Sequence, residues 1–176
     1  KKLAKANSYY TEGMMQIINN EDTYDYNVKV SYKKDDYYRI ELVNTLNNHK
    51  QVILRNDDGV YVITPSLNKS FKFQSDWPYS NSQIYLLNAI LNDIKNDDDR
   101  KFKKTDSGYE FITSVNYPNN DKLIRQKIIL DKNLNLKNIK IYDKDDLICM
   151  EMEFDKIDYS PKFKDDYFDI DSIMST

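Results

Sequence analysis

The sequence predicts an α+β chain in which a large curved antiparallel sheet, a half-barrel of about ten strands, wraps over one long helix and a short N-terminal helix. Two observations carry this reading. Segments of alternating apolar and polar residues follow one another through short Asn- and Asp-rich connections, the pattern of an antiparallel meander. Only the stretch from Ser82 to Ile94 repeats its apolar residues at helical spacing for long enough to cover a sheet.

Residues 1–8 read as a polar tether or a helical turn. From Tyr9 to Ile18 a strand is favoured, although Met14, Met15, Ile17 and Ile18 would also suit a helix. Tyr24, Tyr26, Val28, Val30 and Tyr32 alternate cleanly with Asp25, Asn27, Lys29 and Ser31, and the next strand sets Tyr38, Ile40 and Leu42 against Tyr37, Arg39, Glu41 and Val43. Asn47-Asn48 turns the chain into HKQVILRN. The sequence Asn56-Asp57-Asp58-Gly59 is then a hairpin turn, with Gly59 supplying positive φ and Val60 to Thr64 forming the second strand. Pro65 ends that strand. Ser66-Leu67-Asn68 leads into Lys69 to Gln74, where Phe71 and Phe73 share a face.

The long helix follows, capped by Ser80 or Ser82, with Ile84, Leu87, Leu91 and Ile94 on one side and Leu86, Ala89 and Ile90 widening the stripe. The acidic run Asp97 to Asp99 brings negative charge to the negative end of the helix dipole and stops it. Further strands are expected over Tyr109 to Tyr117, Lys122 to Leu130, Leu134 to Tyr142 and Leu147 to Ile157. The tail 162–176 keeps Phe163, Tyr167, Phe168 and Ile170 for docking onto a single domain spanning 1–176. The open sheet has two edges, from which we expect a homodimer or heteromeric complex formed through edge strands.

Composition excludes several function classes. The formal charge of −3, with Lys and Asp interleaved, offers no basic stripe for nucleic acid. His49 is the only histidine and Cys149 the only cysteine, which rules out a zinc site of several such ligands and leaves any triad resting on His49 alone. Cys149 reads as a half-buried structural thiol. Gly13, Gly59 and Gly108 stand singly, so no phosphate-binding glycine loop can be written. The acidic runs lack the ligand spacing of a calcium loop, and Glu151 and Glu153 sit on the exposed side of a strand. No catalytic residue, metal or cofactor is expected. Trp77-Pro78-Tyr79, in the loop before the helix, is the candidate partner or ligand contact, and the alternative is that it staples the helix onto the sheet. Whether the space between sheet and helix is filled or holds a cavity is left open by the residues.

The motifs Asn56-Asp57-Asp58-Gly59, Thr64-Pro65-Ser66, Lys69 to Phe73, Trp77-Pro78 and Ser82-Gln83 to Leu87, in this order of elements, resemble the outer-membrane lipoprotein carrier superfamily as found in spore-forming Firmicutes. Within it, the likeness is to the clostridial spore germination lipoproteins. The resemblance implies a non-enzymatic exported protein, anchored through a lipidated Cys upstream of Lys1 and facing the spore cortex from the forespore side. Its implied partner is a zinc-dependent N-acetylmuramoyl-L-alanine amidase, which it binds and activates at the start of muramic-δ-lactam formation and hence germination. The alternative within the same superfamily is a carrier or sensor that holds lipid acyl chains between sheet and helix. A start at Lys1 without Met fits a trimmed product.

Overall fold

Chain reversal in this protein falls to Asn and Asp, and that choice sets the lengths of its strands. The structure, a computed structural model, describes residues 5–73, 83–118 and 120–175. At Asn44, Asn47, Asn56, Asp97, Asn120, Asp131, Asp143 and Asp158 the side-chain oxygen accepts the backbone N–H two residues on, at 2.8–3.2 Å. These short side chains mimic a backbone turn. Asn20, Asp36, Asn48, Asn68 and Asp146 add the left-handed conformation that glycine would otherwise supply. Gly59 keeps φ +136° opposite Asn56, as expected for the hairpin. Gly108 is required for a different reason, since a Cβ there would lie 2.0 Å from the Leu130 carbonyl oxygen.

Between these turns run eleven strands in one antiparallel sheet: β1 (Ser8–Asn19), β2 (Asp22–Lys33), β3 (Tyr37–Asn44), β4 (Lys50–Asn56), β5 (Gly59–Thr64), β6 (Lys69–Lys72), β7 (Lys101–Thr105), β8 (Gly108–Ser114), β9 (Leu123–Asp131), β10 (Leu136–Asp143) and β11 (Ile148–Asp158). Their order is β6-β5-β4-β3-β2-β1-β11-β10-β9-β8-β7, so β6 and β7 are the edges. The α+β class and the large open antiparallel sheet are as the sequence predicts. The additional strand is β7, whose sequence KFKKT has no apolar alternation to announce it. It exists because its backbone pairs with β8 from Lys101↔Ile112 to Thr105↔Gly108.

Contacts divide the chain into two compact units, one of residues 5–13, 25–73 and 156–175, the other of 14–24, 83–118 and 120–155. In the second unit, helix α1 (Leu87–Asn96) begins later than the sequence suggests. Its N-cap is Leu86, with no side-chain cap, and Ser80 and Ser82 lie outside the described residues. Burial is concentrated at the start of the helix and falls off toward its end. Ile84, Leu86, Leu87, Ala89 and Ile90 are buried, while Leu91 and Ile94 are only partly covered. On the sheet, Thr113, Gln126, Ile128, Ile139, Ile141 and Met152 are buried, and register places Thr113, Gln126 and Ile141 on one face. The Gln126 amide spans helix and sheet, donating to Asp93 Oδ2 at 2.8 Å and to Thr113 Oγ1 at 3.0 Å. Asp97, the C-cap, turns its carboxylate onto the Ser114 N–H at 2.8 Å, and this bond pulls its pKa below the ordinary carboxylate value.

In the first unit, the two faces of β2–β5 have separate cores. Val28, Val30, Ile40 and Val60 are buried on one face at 0–1% exposure. On the other, Val52, Leu54 and Ile63 are covered by Phe168 and Ile173 of the C-terminal segment, with Phe163, Tyr167, Ile170 and Met174 packed around them. That segment ends in α2 (Ile170–Met174). Polar contacts fix its register: Arg39 Nη1 donates to the Tyr167 carbonyl at 3.2 Å, Asn56 Nδ2 to the Phe168 carbonyl at 3.0 Å, and the Tyr167 and Ser31 hydroxyls bond at 2.8 Å. The Arg39 guanidinium also lies 4.4 Å from the Tyr167 ring centroid.

Candidate functional site

Trp77, Pro78 and Tyr79, the contact expected from sequence, lie outside the described residues. His49 sits exposed in the turn between β3 and β4, where its N–H donates to Asn47 Oδ1 and its carbonyl accepts from Asn44. Those are turn-forming contacts. Cys149 is half-buried with its thiol donating to the Leu147 carbonyl at 3.6 Å, and burial pushes its pKa up, so it is a thiol at neutral pH and a poor nucleophile. Among the described residues, no group of three or more His, Cys, Asp and Glu is arranged to hold a metal ion, and no helix is long and apolar enough to cross a membrane.

What register does assemble is a cationic surface on the face of β7–β10 turned away from α1. Antiparallel partners share a face. Lys101 lies opposite Ile112, Ile112 opposite Lys127, and Lys127 opposite Lys140, so three lysines and an isoleucine form one row across four strands. The adjacent row sets Arg125 against Tyr142. At this junction Ile112, Arg125, Gln126, Lys127, Tyr142 and Asp146 line a depression of about 270 Å³. The Arg125 guanidinium lies 5.6 Å and the Lys127 ammonium 5.8 Å from the Tyr142 ring centroid, within reach of its negative π-face.

Acidic groups border the row. Asp146, held in the left-handed conformation on the β10–β11 turn, pairs with Arg125, although its own side chain is 73% exposed. Glu110 lies opposite Lys103, and Glu151 lies opposite Lys140 while accepting from Asn138 Nδ2 at 2.9 Å. Lys127 has no carboxylate within ion-pair distance among the described residues. The site therefore combines fixed positive charge, one aromatic ring and one aliphatic side chain, a set suited to an anion carried on a partly apolar body. Sequence reasoning missed it because Lys101, Arg125, Lys127 and Lys140 come from three strands and converge only through register. The signal available was the placement of Lys and Arg at alternate positions of β9, at 125 and 127.

No family model matches the chain. Over 169 residues, 96% of its length, it is 38% identical to the sporulation protein YdcC of Bacillus subtilis. The similarity runs through nearly the whole of this chain. The chain spans about half the length of this curated relative, 50% of it. Among solved structures, it resembles the GerS lipoprotein in the complex with the CwlD amidase from Clostridioides difficile, at TM-score 0.52 and 15% identity over 93% of this chain and 89% of that one. An uncharacterised conserved protein from Thermus thermophilus matches at TM-score 0.55 and 7% identity over 94% and 91%. At such identities the likeness is one of fold, and it agrees with the lipoprotein-carrier architecture implied by the sequence motifs.

Proposed function

We propose that this chain is a non-enzymatic, exported lipoprotein that binds and activates a zinc-dependent N-acetylmuramoyl-L-alanine amidase of the spore cortex, enabling muramic-δ-lactam formation and germination. The observation that carries the reading is homology to a sporulation protein on a fold shared with a lipoprotein found bound to an amidase. The anchor in this proposal is a lipidated Cys upstream of Lys1, on the forespore side of the cortex. Burial supports a regulator over an acyl carrier. Val52, Leu54 and Ile63, on one face of the first unit's sheet, lie fully buried beneath the C-terminal segment, so that face gives an acyl chain no accessible lining.

Contact with the amidase, or with a second copy of this chain, runs through the sheet edges in this reading. β6 and β7 are short and carry Lys69, Lys72, Lys101, Lys103 and Lys104, which favour a discrete complex over open-ended stacking. Trp77, Pro78 and Tyr79 are proposed as further contacts. The test is co-purification with candidate cortex amidases and an amidase assay with and without the chain, joined to light scattering over a range of concentrations. Tight association with raised amidase turnover is the expected result. A strict monomer that leaves every cortex amidase unbound at micromolar concentration overturns the reading.

A further inference from the structure

An N-acetylmuramoyl-L-alanine amidase adds water across the amide between the lactyl carbonyl of muramic acid and the amine of L-alanine. The peptide leaves with a free amine, and the glycan keeps a lactyl carboxylate on that sugar. We propose that the cationic depression on β8–β10, extended by Lys101 and Lys140, binds this carboxylate-bearing glycan, so that the chain holds the product strand of the amidase it serves. The inference rests on the amidase reading of the preceding subsection.

Three observations carry it. The depression, about 270 Å³, is below the roughly 300–1,000 Å³ of ordinary small-molecule sites, which suits a single sugar unit of a strand lying across the surface. Its contents match such a unit, with Arg125 and Lys127 for the carboxylate and the Tyr142 ring and Ile112 for the apolar side of the pyranose. Extent also fits. The row Lys101, Ile112, Lys127, Lys140 crosses four strands at about 4.8 Å per step, so its outermost lysines are about 14 Å apart and positive charge extends beyond the depression along a line that a strand could follow.

Asp146 has a defined part in this arrangement. Its carboxylate already rests on Arg125, from an exposed turn, and so occupies the position that the ligand carboxylate takes. Binding exchanges one carboxylate for another. Removing the internal competitor should therefore tighten binding, whereas removing its cationic partner should weaken it, and a merely structural ion pair predicts no such opposition.

The test uses the intact chain and cortex sacculi sedimented before and after limited digestion with an N-acetylmuramoyl-L-alanine amidase, stopped while the remaining cross-links keep the network sedimentable. Untreated sacculi present carboxylates on their peptide stems only, and treated sacculi present them on the sugar as well, so the two arms separate the two sources. The expected result is preferential retention on treated sacculi, falling as salt is raised, reduced about tenfold or more by Arg125→Gln with Lys127→Gln, and increased by Asp146→Asn. Unchanged melting temperatures show that the variants fold. Equal retention in both arms, no retention, or variants that bind as the parent does would each overturn the inference. So would retention lost when phosphate-bearing wall polymers are first stripped away, because the anion would then be phosphate. Amidase co-purification measured on the same variants keeps the two readings apart. Activation without glycan retention defeats only this inference, and glycan retention without amidase binding defeats only the preceding one.

Discussion

Replacing Phe168 with Ala tests how the C-terminal segment is held. Phe168 is 4% exposed, shares a core with Val52, Leu54, Ile63 and Ile173, and meets the rings of Phe163 and Tyr167 edge-on at 5.2 Å each. Truncating a buried Phe to Ala costs about 3–5 kcal/mol. Docking against one face of a sheet lets the segment settle partly into the space, which argues for the lower end, about 3 kcal/mol. The bond from Asn56 to the Phe168 carbonyl survives, because it is made to backbone, and Ile173 remains buried. Where docking is weaker than the rest of the sheet, the loss appears first as local release of 160–175. The assay joins urea denaturation to limited trypsin digestion, reading cleavage after Lys162 and Lys164, both of which are exposed. A lowered midpoint with faster cleavage at these sites is expected. A change below about 0.5 kcal/mol with cleavage unaltered would refute the claim that Phe168 anchors the segment.

Leu87→Ala should cost on the order of 2–5 kcal/mol in chemical denaturation, and Leu91→Ala clearly less, because only Leu87 is fully buried against the sheet. Equal costs would contradict this difference in burial. Gly108→Ala should destabilise by about 2 kcal/mol or more, since its Cβ meets backbone that cannot yield, and a thermal melt within a degree or so of the parent would be the contrary result. Burial alone raises the Glu41 carboxyl, but Lys50 at 2.9 Å and Arg39 at 3.3 Å outweigh it and hold the pKa below the ordinary carboxylate value. A lowered folded pKa stabilises above the unfolded value and ceases to do so as pH falls through the folded one. Glu41→Gln should therefore cost about 1 kcal/mol at neutral pH and converge with the parent in acid, which pH-dependent melts will read; a constant offset at all pH values would exclude the linkage. His49→Ala should leave the proposed amidase activation intact and stability within about 0.5 kcal/mol; total loss of function on a preserved fold would reopen an enzymatic reading of His49.

The fold was legible wherever local chemistry decides it. The turn at Asn56 to Gly59, the strand break at Pro65 and the alternation of β2 and β3 each follow from residues within a few positions of one another. β7 escaped because KFKKT is an edge strand, and an edge strand needs only a neighbour's backbone and tolerates lysine on both faces. The start of α1 was misplaced because Ser80 and Ser82 are good caps by type, whereas the observed N-cap, Leu86, has no side chain able to cap and depends on tertiary packing. The cationic row was hidden for a third reason. Charge that gathers across strands is set by register, and single-sequence reading of Lys and Asp interleaved along the chain sees only their cancellation.

The Asn turns have a consequence for chemical ageing. Hydrolysis of an asparagine amide to a carboxylate removes Nδ2 and leaves Oδ1, and at Asn44, Asn47 and Asn120 the turn needs only that acceptor. Where the product is aspartate, deamidation at those positions therefore preserves the chain reversal, with the acceptor now charged, whereas an isoaspartate product lengthens the backbone by a methylene and breaks the turn. Asn56 is different, because its Oδ1 holds the hairpin while its Nδ2 donates to the Phe168 carbonyl. Loss of that one donor sets a carboxylate against a carbonyl oxygen and repels the C-terminal segment from the sheet. Amide decay to aspartate would thus spare the hairpins at the other Asn turns, and at Asn56 even that product would convert elapsed time into the release of 160–175.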